Sequence, residues 1–160
     1  MNEKAMADLV LNRLKQSQGD GDVHDHLSLV TWEWPQGVAM YAMAQLYAAT
    51  GDTAVLSEMR EWYDGHIARG LPERNINTTA PMLGMTFLWE AVRDERYLRL
   101  IREWAEWVMH GLPRTQEGGF QHITDGHASL QNSVLIEIAG GYPFSPFHLT
   151  LIRSHLPRNN

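Results

Sequence analysis

The amino-acid sequence predicts an all-α fold built from repeated helical hairpins. Three observations favour it: a repeat spaced by 42 residues, alternation of wholly apolar with amphipathic helical segments, and glycine or aspartate where one helix ends and the next begins. The 160 residues suffice for one hydrophobic core. Because the chain has no cysteine, disulfide bonds and thiol catalysis are excluded.

The repeat aligns residues of one hairpin with residues 42 positions later. The aligned identities are Met40/Met82, Met43/Met85, Leu46/Leu88, Ala49/Ala91, Asp52/Asp94, Leu56/Leu98, Arg60/Arg102, Glu61/Glu103 and Trp62/Trp104. The triplet Gly-Leu-Pro at 70–72 recurs at 111–113, one position out of step. Chance gives far fewer matches, so we treat the two stretches as copies of one structural unit.

The first unit consists of helices over 37–49 and 53–68. The first helix is apolar nearly all round, which predicts burial on every side. Gly51 ends it and Asp52 caps the next helix. That second helix is amphipathic, with an inward face formed by Val55, Leu56, Met59, Trp62 and Ile67.

The second unit repeats this scheme. Thr79 is the expected cap, with Pro81 in the first turn of a buried helix that runs to Val92. Asp94 opens an amphipathic helix whose inward residues are Tyr97, Leu98, Ile101, Trp104 and Val108. Alternating buried and half-buried helices predict an inner and an outer ring, and residues 5–15 predict a further outer helix.

The repeat stops near Asp125, which divides the chain into a repeat region, 1–125, and a divergent tail, 126–160. The tail contains Gly140, Gly141, Pro143 and Pro146, a combination that ends long helices. We treat truncation or a shifted reading frame after residue 125 as a hypothesis. Translating the other two frames of the gene would test it.

Composition excludes several classes of partner. The net charge of −6 argues against nucleic acid, and no apolar run is long enough to cross a membrane. The first ten residues lack the features of a signal peptide, so we expect a cytoplasmic protein.

The eight histidines show no metal-ligand spacing, and we expect neither metal nor cofactor. The six tryptophans point mildly to carbohydrate, although aromatic core packing explains them equally well.

Three segments precede the predicted inner helices: residues 31–37, 74–81 and 117–122. The repeat places them at one mouth of the ring, where a concave cavity with a few polar groups is the default binding site. Other roles are open for each residue. Trp32 and Trp34 could be core residues, Asn75 and Asn77 turn residues, and His122 a structural hydrogen-bonding group. Likewise, Glu33 could be a helix cap, a salt-bridge partner or an acid, and Arg74 and Arg114 could be solvated cations or partners of a ligand carboxylate.

These segments together resemble the glycoside hydrolase families 88 and 105, and within them the unsaturated rhamnogalacturonyl hydrolases. The resemblance covers residues 30–124 and rests on three motifs: Trp32-x-Trp34-x-x-Gly37, Asn75-x-Asn77-Thr78-x-x-Pro81-Met82, and Leu112-Pro113-Arg114-Thr115 followed by Gly118-Gly119-Phe120-Gln121-His122. It implies an α/α toroid of six helical hairpins, incomplete here at about two and a half hairpins plus an irregular tail.

The resemblance also implies an activity: removal of a terminal 4,5-unsaturated uronic acid from small pectin-derived oligosaccharides. In that reaction an aspartic acid protonates the ring double bond and water adds at the neighbouring carbon. The resulting hemiketal opens and expels the aglycone. The same resemblance implies that Trp34 flanks the unsaturated ring, that His122 bonds the sugar near the reacting carbon, and that Asn77 and Gln121 belong to the same pocket.

The catalytic motif of these families, Trp-x-Asp-x-Leu-Phe-Met, is absent from residues 123–135. Asp125 is the acid that remains there, but it lies too early and in a different local pattern. The catalytic residue is therefore unassigned, and we expect impaired activity. Two rival functions stay open: a sugar epimerase on a similar toroid, and a non-catalytic α-hairpin fragment or interaction module that self-associates through the open flank of the ring.

Overall fold

The computed structural model describes residues 28–114 and 120, together with Ala5, Leu9, Asn12, Arg13 and Gln16. Residues 28–114 contain four helices: α1 (Trp34–Thr50), α2 (Thr53–Arg69), α3 (Pro81–Val92) and α4 (Glu95–His110). The all-α prediction is confirmed, and the two repeats are two helical hairpins. The five isolated positions are helical, in line with the expected outer helix. The tail 126–160 lies outside the described residues.

The 42-residue repeat is visible in the backbone between the helices. Gly51 and Arg93 both adopt the left-handed conformation, with φ of 67° and 55°. The N–H of each donates a 2.7 Å hydrogen bond to the carbonyl four residues earlier. Asp52 and Asp94 follow, and each carboxylate accepts a 3.0 Å hydrogen bond from the N–H two residues later. Both hairpins therefore turn by the same capping geometry.

Two helix starts differ from the prediction. Helix α1 begins at Trp34 rather than at residue 37, because Pro35 is accommodated in the first turn, where its missing N–H costs nothing. Helix α3 is capped by Ala80, whereas the hydroxyl of Thr79 donates to the Asn75 carbonyl at 2.8 Å. Trp34 consequently lies on the first turn of a helix and not in a loop.

Helices α1 and α3 form the inner layer and pack against each other, each backed by its own outer helix. The repeated methionines of the inner helices are buried, and Tyr63 and Tyr97 of the outer helices are fully buried beside them. A Cβ atom added at Gly84 would lie 2.8 Å from the Cβ of Met40. Small residues therefore let the inner helices approach closely, as the two-layer prediction requires. None of the described helices is long and apolar enough to cross a bilayer.

The prediction that α1 is buried on every side is wrong. Trp34 and Val38 are 43% and 42% exposed, and Ala42, Gln45 and Ala49 on the same face are exposed as well. Helix α3, in contrast, is buried along nearly its whole length. In the described part of the chain α1 packs mainly on α2 and α3, which cover its opposite face.

Candidate functional site

The segments that precede α1 and α3 lie side by side. The indole Nε1 of Trp32 donates a 2.8 Å hydrogen bond to the backbone carbonyl of Thr78. One turn into α1, a Cβ atom added at Gly37 would fall 2.5 Å from the Cβ of Ala80. These two contacts bring the first two motif segments together at the amino-terminal end of both inner helices.

The third motif segment lies against the second. Arg114 and Phe120 form an isolated antiparallel β-bridge, and the Arg114 guanidinium lies 4.2 Å from the centre of the Phe120 ring. Phe120 in turn packs on a small apolar cluster of Ile76, Val108 and Leu112. Because Ile76 stands between Asn75 and Asn77, the described parts of all three segments meet at one end of the hairpins.

The two tryptophans of the first motif occupy different environments. Trp32 is 4% exposed and stacks on Trp62, with ring centroids 5.0 Å apart and an interplanar angle of 9°. Trp34 stands two residues later and is 43% exposed. Trp32 is therefore a core residue that joins two loops, whereas the Trp34 ring is partly open to solvent.

The two asparagines of the second motif also differ in their hydrogen bonds. The Asn75 Oδ1 accepts hydrogen bonds from the backbone N–H groups of Asn77 and Thr78, at 2.8 and 3.0 Å. This is the turn role that asparagine commonly takes. The half-buried Asn77 side chain makes no hydrogen bond within the described part of the chain. Its amide thus has both donors and an acceptor to offer a ligand.

A buried glutamine, not identified from the sequence, holds the first motif in place. Gln36 is 1% exposed. Its Nε2 donates to the Ser28 carbonyl at 2.7 Å, and its Oε1 accepts from the Glu33 N–H at 3.1 Å. Glu33 and Gln36 form a capping box at the start of α1, so Glu33 acts as a cap. The spacing Glu33-x-x-Gln36 is the signal that could have revealed it.

The two arginines near the mouth have interaction partners. Arg74 pairs with Glu103 at 3.4 Å and lies 5.7 Å from the centre of the Trp104 ring. The exposed Arg114 lies over Phe120. Both guanidinium groups therefore already interact with groups of the protein. Within the described residues, no group of three potential metal ligands comes together. Gln121, His122 and Asp125 lie outside the described residues, so their proposed roles stay predictions.

A histidine lies inside the aromatic cluster beneath the first motif. His66 is 6% exposed, with its ring centroid 4.3 Å from that of Trp62 and 5.3 Å from that of Trp32. Its Nε2 has no hydrogen-bond partner in the described part of the chain. Burial and, secondarily, the positive charge of Arg69 lower the pKa of His66.

The lowered pKa of the buried His66 leads us to expect that the protein loses stability in mild acid. Its pKa is near 6.5 in the unfolded chain and lower in the folded protein, so below about pH 6.5 the unfolded state binds more protons. The free energy of unfolding should therefore fall as the pH drops through the folded-state pKa. We expect the urea midpoint to fall more between about pH 7.5 and 5 in the unmodified protein than in His66→Phe.

Replacement of the exposed His110, which pairs with Glu106 at 3.4 Å, provides the matched control. His110→Gln should retain the pH dependence of the unmodified chain. An equal acid sensitivity in the unmodified chain and in His66→Phe would exclude His66 as its source.

The chain is similar to known glycoside hydrolases. The model of Glycosyl Hydrolase Family 88 matches residues 6–133. The chain is 37% identical over 94 residues to the unsaturated rhamnogalacturonyl hydrolase YesR of Bacillus subtilis, covering 59% of this chain and 27% of that protein.

Two solved structures are similar to this chain. They are described as possible members of the GH105 family, from Klebsiella pneumoniae and Salmonella enterica. Each matches with a TM-score of 0.67 and 34% identity, over 77% of this chain and 35% of the solved one. This chain therefore spans roughly a quarter to a third of the length of these relatives.

Proposed function

Because this chain belongs to Glycosyl Hydrolase Family 88, we propose that it supplies the sugar-contacting part of an unsaturated-uronyl hydrolase. The substrate class is a small pectin-derived oligosaccharide that ends in a 4,5-unsaturated uronic acid. The name of the curated relative, an unsaturated rhamnogalacturonyl hydrolase, supports this choice. The proposal rests on the family match and on the meeting of three motif segments at one end of the hairpins.

The observation that carries the proposal is the exposed indole of Trp34, which stands in the chain between Trp32 and Gly37, the two residues of the first segment that contact the second. The C–H face of a sugar ring packs on such a surface, and polar groups beside it fix the orientation of the ring. Asn77 is the polar group with an unused amide in the second segment. Gln121 and His122 follow Phe120, which packs on Ile76 next to Asn77. Together these residues suit the ring face and the hydroxyl groups of a sugar.

The chemistry requires one general acid and one water molecule. The acid delivers a proton to the ring double bond, water adds at the neighbouring carbon, and the hemiketal so formed opens with release of the aglycone. The sequence offers Asp125 as the acid near the third motif, outside the family pattern. We therefore propose that this chain binds the sugar but turns it over slowly or not at all.

Incubation with an unsaturated uronyl disaccharide tests the catalytic part of this proposal. Turnover removes the ring double bond and with it an ultraviolet absorbance. We expect little or no loss of absorbance, because the motif that carries the catalytic aspartate is absent. Robust turnover that is abolished by Asp125→Asn would contradict the proposal and identify Asp125 as the acid.

Titration calorimetry with the same disaccharide tests binding separately. Trp34→Ala should weaken binding about 5- to 10-fold, since stacking on an aromatic ring is worth about 1 kcal/mol. Arg93→Ala is the matched control, because Arg93 stands at the far end of α3 and contacts Trp89 there. Equal affinities of Trp34→Ala and Arg93→Ala would remove Trp34 from the site.

A further inference from the structure

An imidazole lies beneath the first motif segment. His66 belongs to the last turn of α2 and is buried. Its ring contacts the rings of Trp32 and Trp62, tilted by 60° and 52° against them. Trp32 in turn donates to the Thr78 carbonyl and so joins the first two motif segments. His66 therefore touches the side chain on which the meeting of these segments depends.

Residues 28–32, here named the strap, are tied to α2 by the same aromatic cluster. The Leu29 carbonyl accepts a 2.6 Å hydrogen bond from the indole Nε1 of Trp62. Val30, in the middle of the strap, is 74% exposed, so the strap lies at the surface. Trp34 follows the strap after one residue. The attachment of the strap to α2 consequently helps to fix the position of Trp34 at the start of α1.

A proton on His66 disturbs this arrangement. The imidazole Nε2 has no hydrogen-bond partner in the described part of the chain. The protonated ring donates from both nitrogens, so its Nε2–H would be a buried donor that lacks an acceptor there. Burial and then the positive charge of Arg69 lower the pKa of His66, against an opposing effect of the Leu29 backbone.

The charged groups on the neighbouring elements give the proton little support. Arg69, on α2 itself, opposes a second positive charge. On the strap side, the Glu33 carboxylate accepts from the backbone in the capping box of α1. On the α4 side, Glu103 pairs with Arg74. The buried phenol of Tyr63 donates to the Pro81 carbonyl and stays neutral, because burial raises its pKa.

We infer that His66 is a positioning residue of the sugar mouth: its neutral ring keeps the strap on α2, and its protonation loosens the strap and weakens sugar binding. The last step rests on the proposed function. An imidazolium that turns toward water leaves Trp32 without one of its ring contacts, and the hydrogen bond to Thr78 weakens with it. Trp34 and Asn77, which lie on the two segments joined by that bond, then lose their alignment.

Hydrogen exchange of the indole N–H groups tests the strap without any sugar. Trp62 donates to the strap and Trp32 belongs to it. For these two groups, the ratio of exchange rates between the unmodified chain and His66→Phe should rise about 10-fold from about pH 7.5 to about pH 5.5. His110→Gln is the matched control, because the exposed His110 pairs with Glu106, and it should behave as the unmodified chain does.

Titration calorimetry with an unsaturated uronyl disaccharide tests the consequence for the mouth. Between the same two pH values the unmodified chain and His110→Gln should lose about 5-fold more affinity than His66→Phe. The carboxylate of the sugar titrates equally in all three experiments, so it does not contribute to the difference.

Two results would overturn the inference as a whole. One is an exchange ratio that does not change with pH. The other is a His66 pKa at or above 6.5 by NMR of the unmodified chain, since the tryptophan faces and the carbonyl end of α2 would then stabilise the imidazolium. Faster exchange with an equal loss of affinity in His66→Phe would overturn the link to the mouth. Absence of sugar binding at both pH values would instead refute the proposed function, and the exchange data would decide the role of His66 in the strap.

Discussion

Replacing Gly37 with alanine is expected to lower the free energy of unfolding by about 3 kcal/mol. The added Cβ would lie 2.5 Å from the Cβ of Ala80, 2.6 Å from its carbonyl carbon and 2.8 Å from the nitrogen of Pro81. Two of these three atoms belong to the backbone, so no side-chain rotation can relieve the contact. The first turns of α1 and α3 must therefore move apart.

Gly65→Ala is the matched control, within helix α2. The nearest atom to its added Cβ is the flexible end of Arg69, at an ordinary 3.5 Å. Alanine also favours the helix over glycine, so this variant should be more stable by about 0.5–1 kcal/mol. Urea unfolding of both variants measures the difference. Similar stabilities for Gly37→Ala and the unmodified chain would show that α1 and α3 do not approach as described.

Replacing Trp32 with alanine is expected to destabilise the protein by about 3–5 kcal/mol. The side chain is buried, stacked on Trp62, and in contact with Tyr63, His66 and Trp104. Its loss leaves a cavity at the centre of this aromatic cluster. It also leaves the Thr78 carbonyl without its 2.8 Å hydrogen bond, which joins the first two motif segments.

Trp34→Ala provides the comparison for Trp32→Ala, because it removes the same side chain two positions later. Its exposed ring predicts a change in unfolding free energy within about 0.5 kcal/mol. Trp32→Phe separates the two contributions, since it retains much of the ring but loses the donor to Thr78. Equal destabilisation by the two alanine variants would contradict the distinction between a buried Trp32 and an exposed Trp34.

Much of the fold could be predicted from the sequence because the hairpin unit is repeated. Gly51 and Asp52 marked one turn, and the aligned Asp94 marked the other even though Arg93 replaces the glycine at its left-handed position. The exposure of one face of α1 could not be predicted in this way. Apolar periodicity reports that a face avoids water, but it does not report which partner covers that face.

The site was less predictable than the fold. Trp32 and Trp34 are chemically identical, and their different burial depends on Thr78 and Trp62, which are distant in sequence. Asn75 and Asn77 differ for a similar reason, since the Asn75 side chain accepts a backbone hydrogen bond within the turn. The burial of Tyr63 and His66 was not predicted, because residues with a polar group do not stand out in an apolar pattern.

Amide and indole NMR during titration with an unsaturated uronyl disaccharide tests the central claim, that separate motif segments form one sugar-binding mouth. The six tryptophans give separate indole N–H signals. We predict that the signal of Trp34 and the side-chain amide signal of Asn77 shift together with one affinity, while the buried Trp89 and Trp104 stay unchanged. Shifts confined to other tryptophans, or none at saturating sugar, would contradict the account.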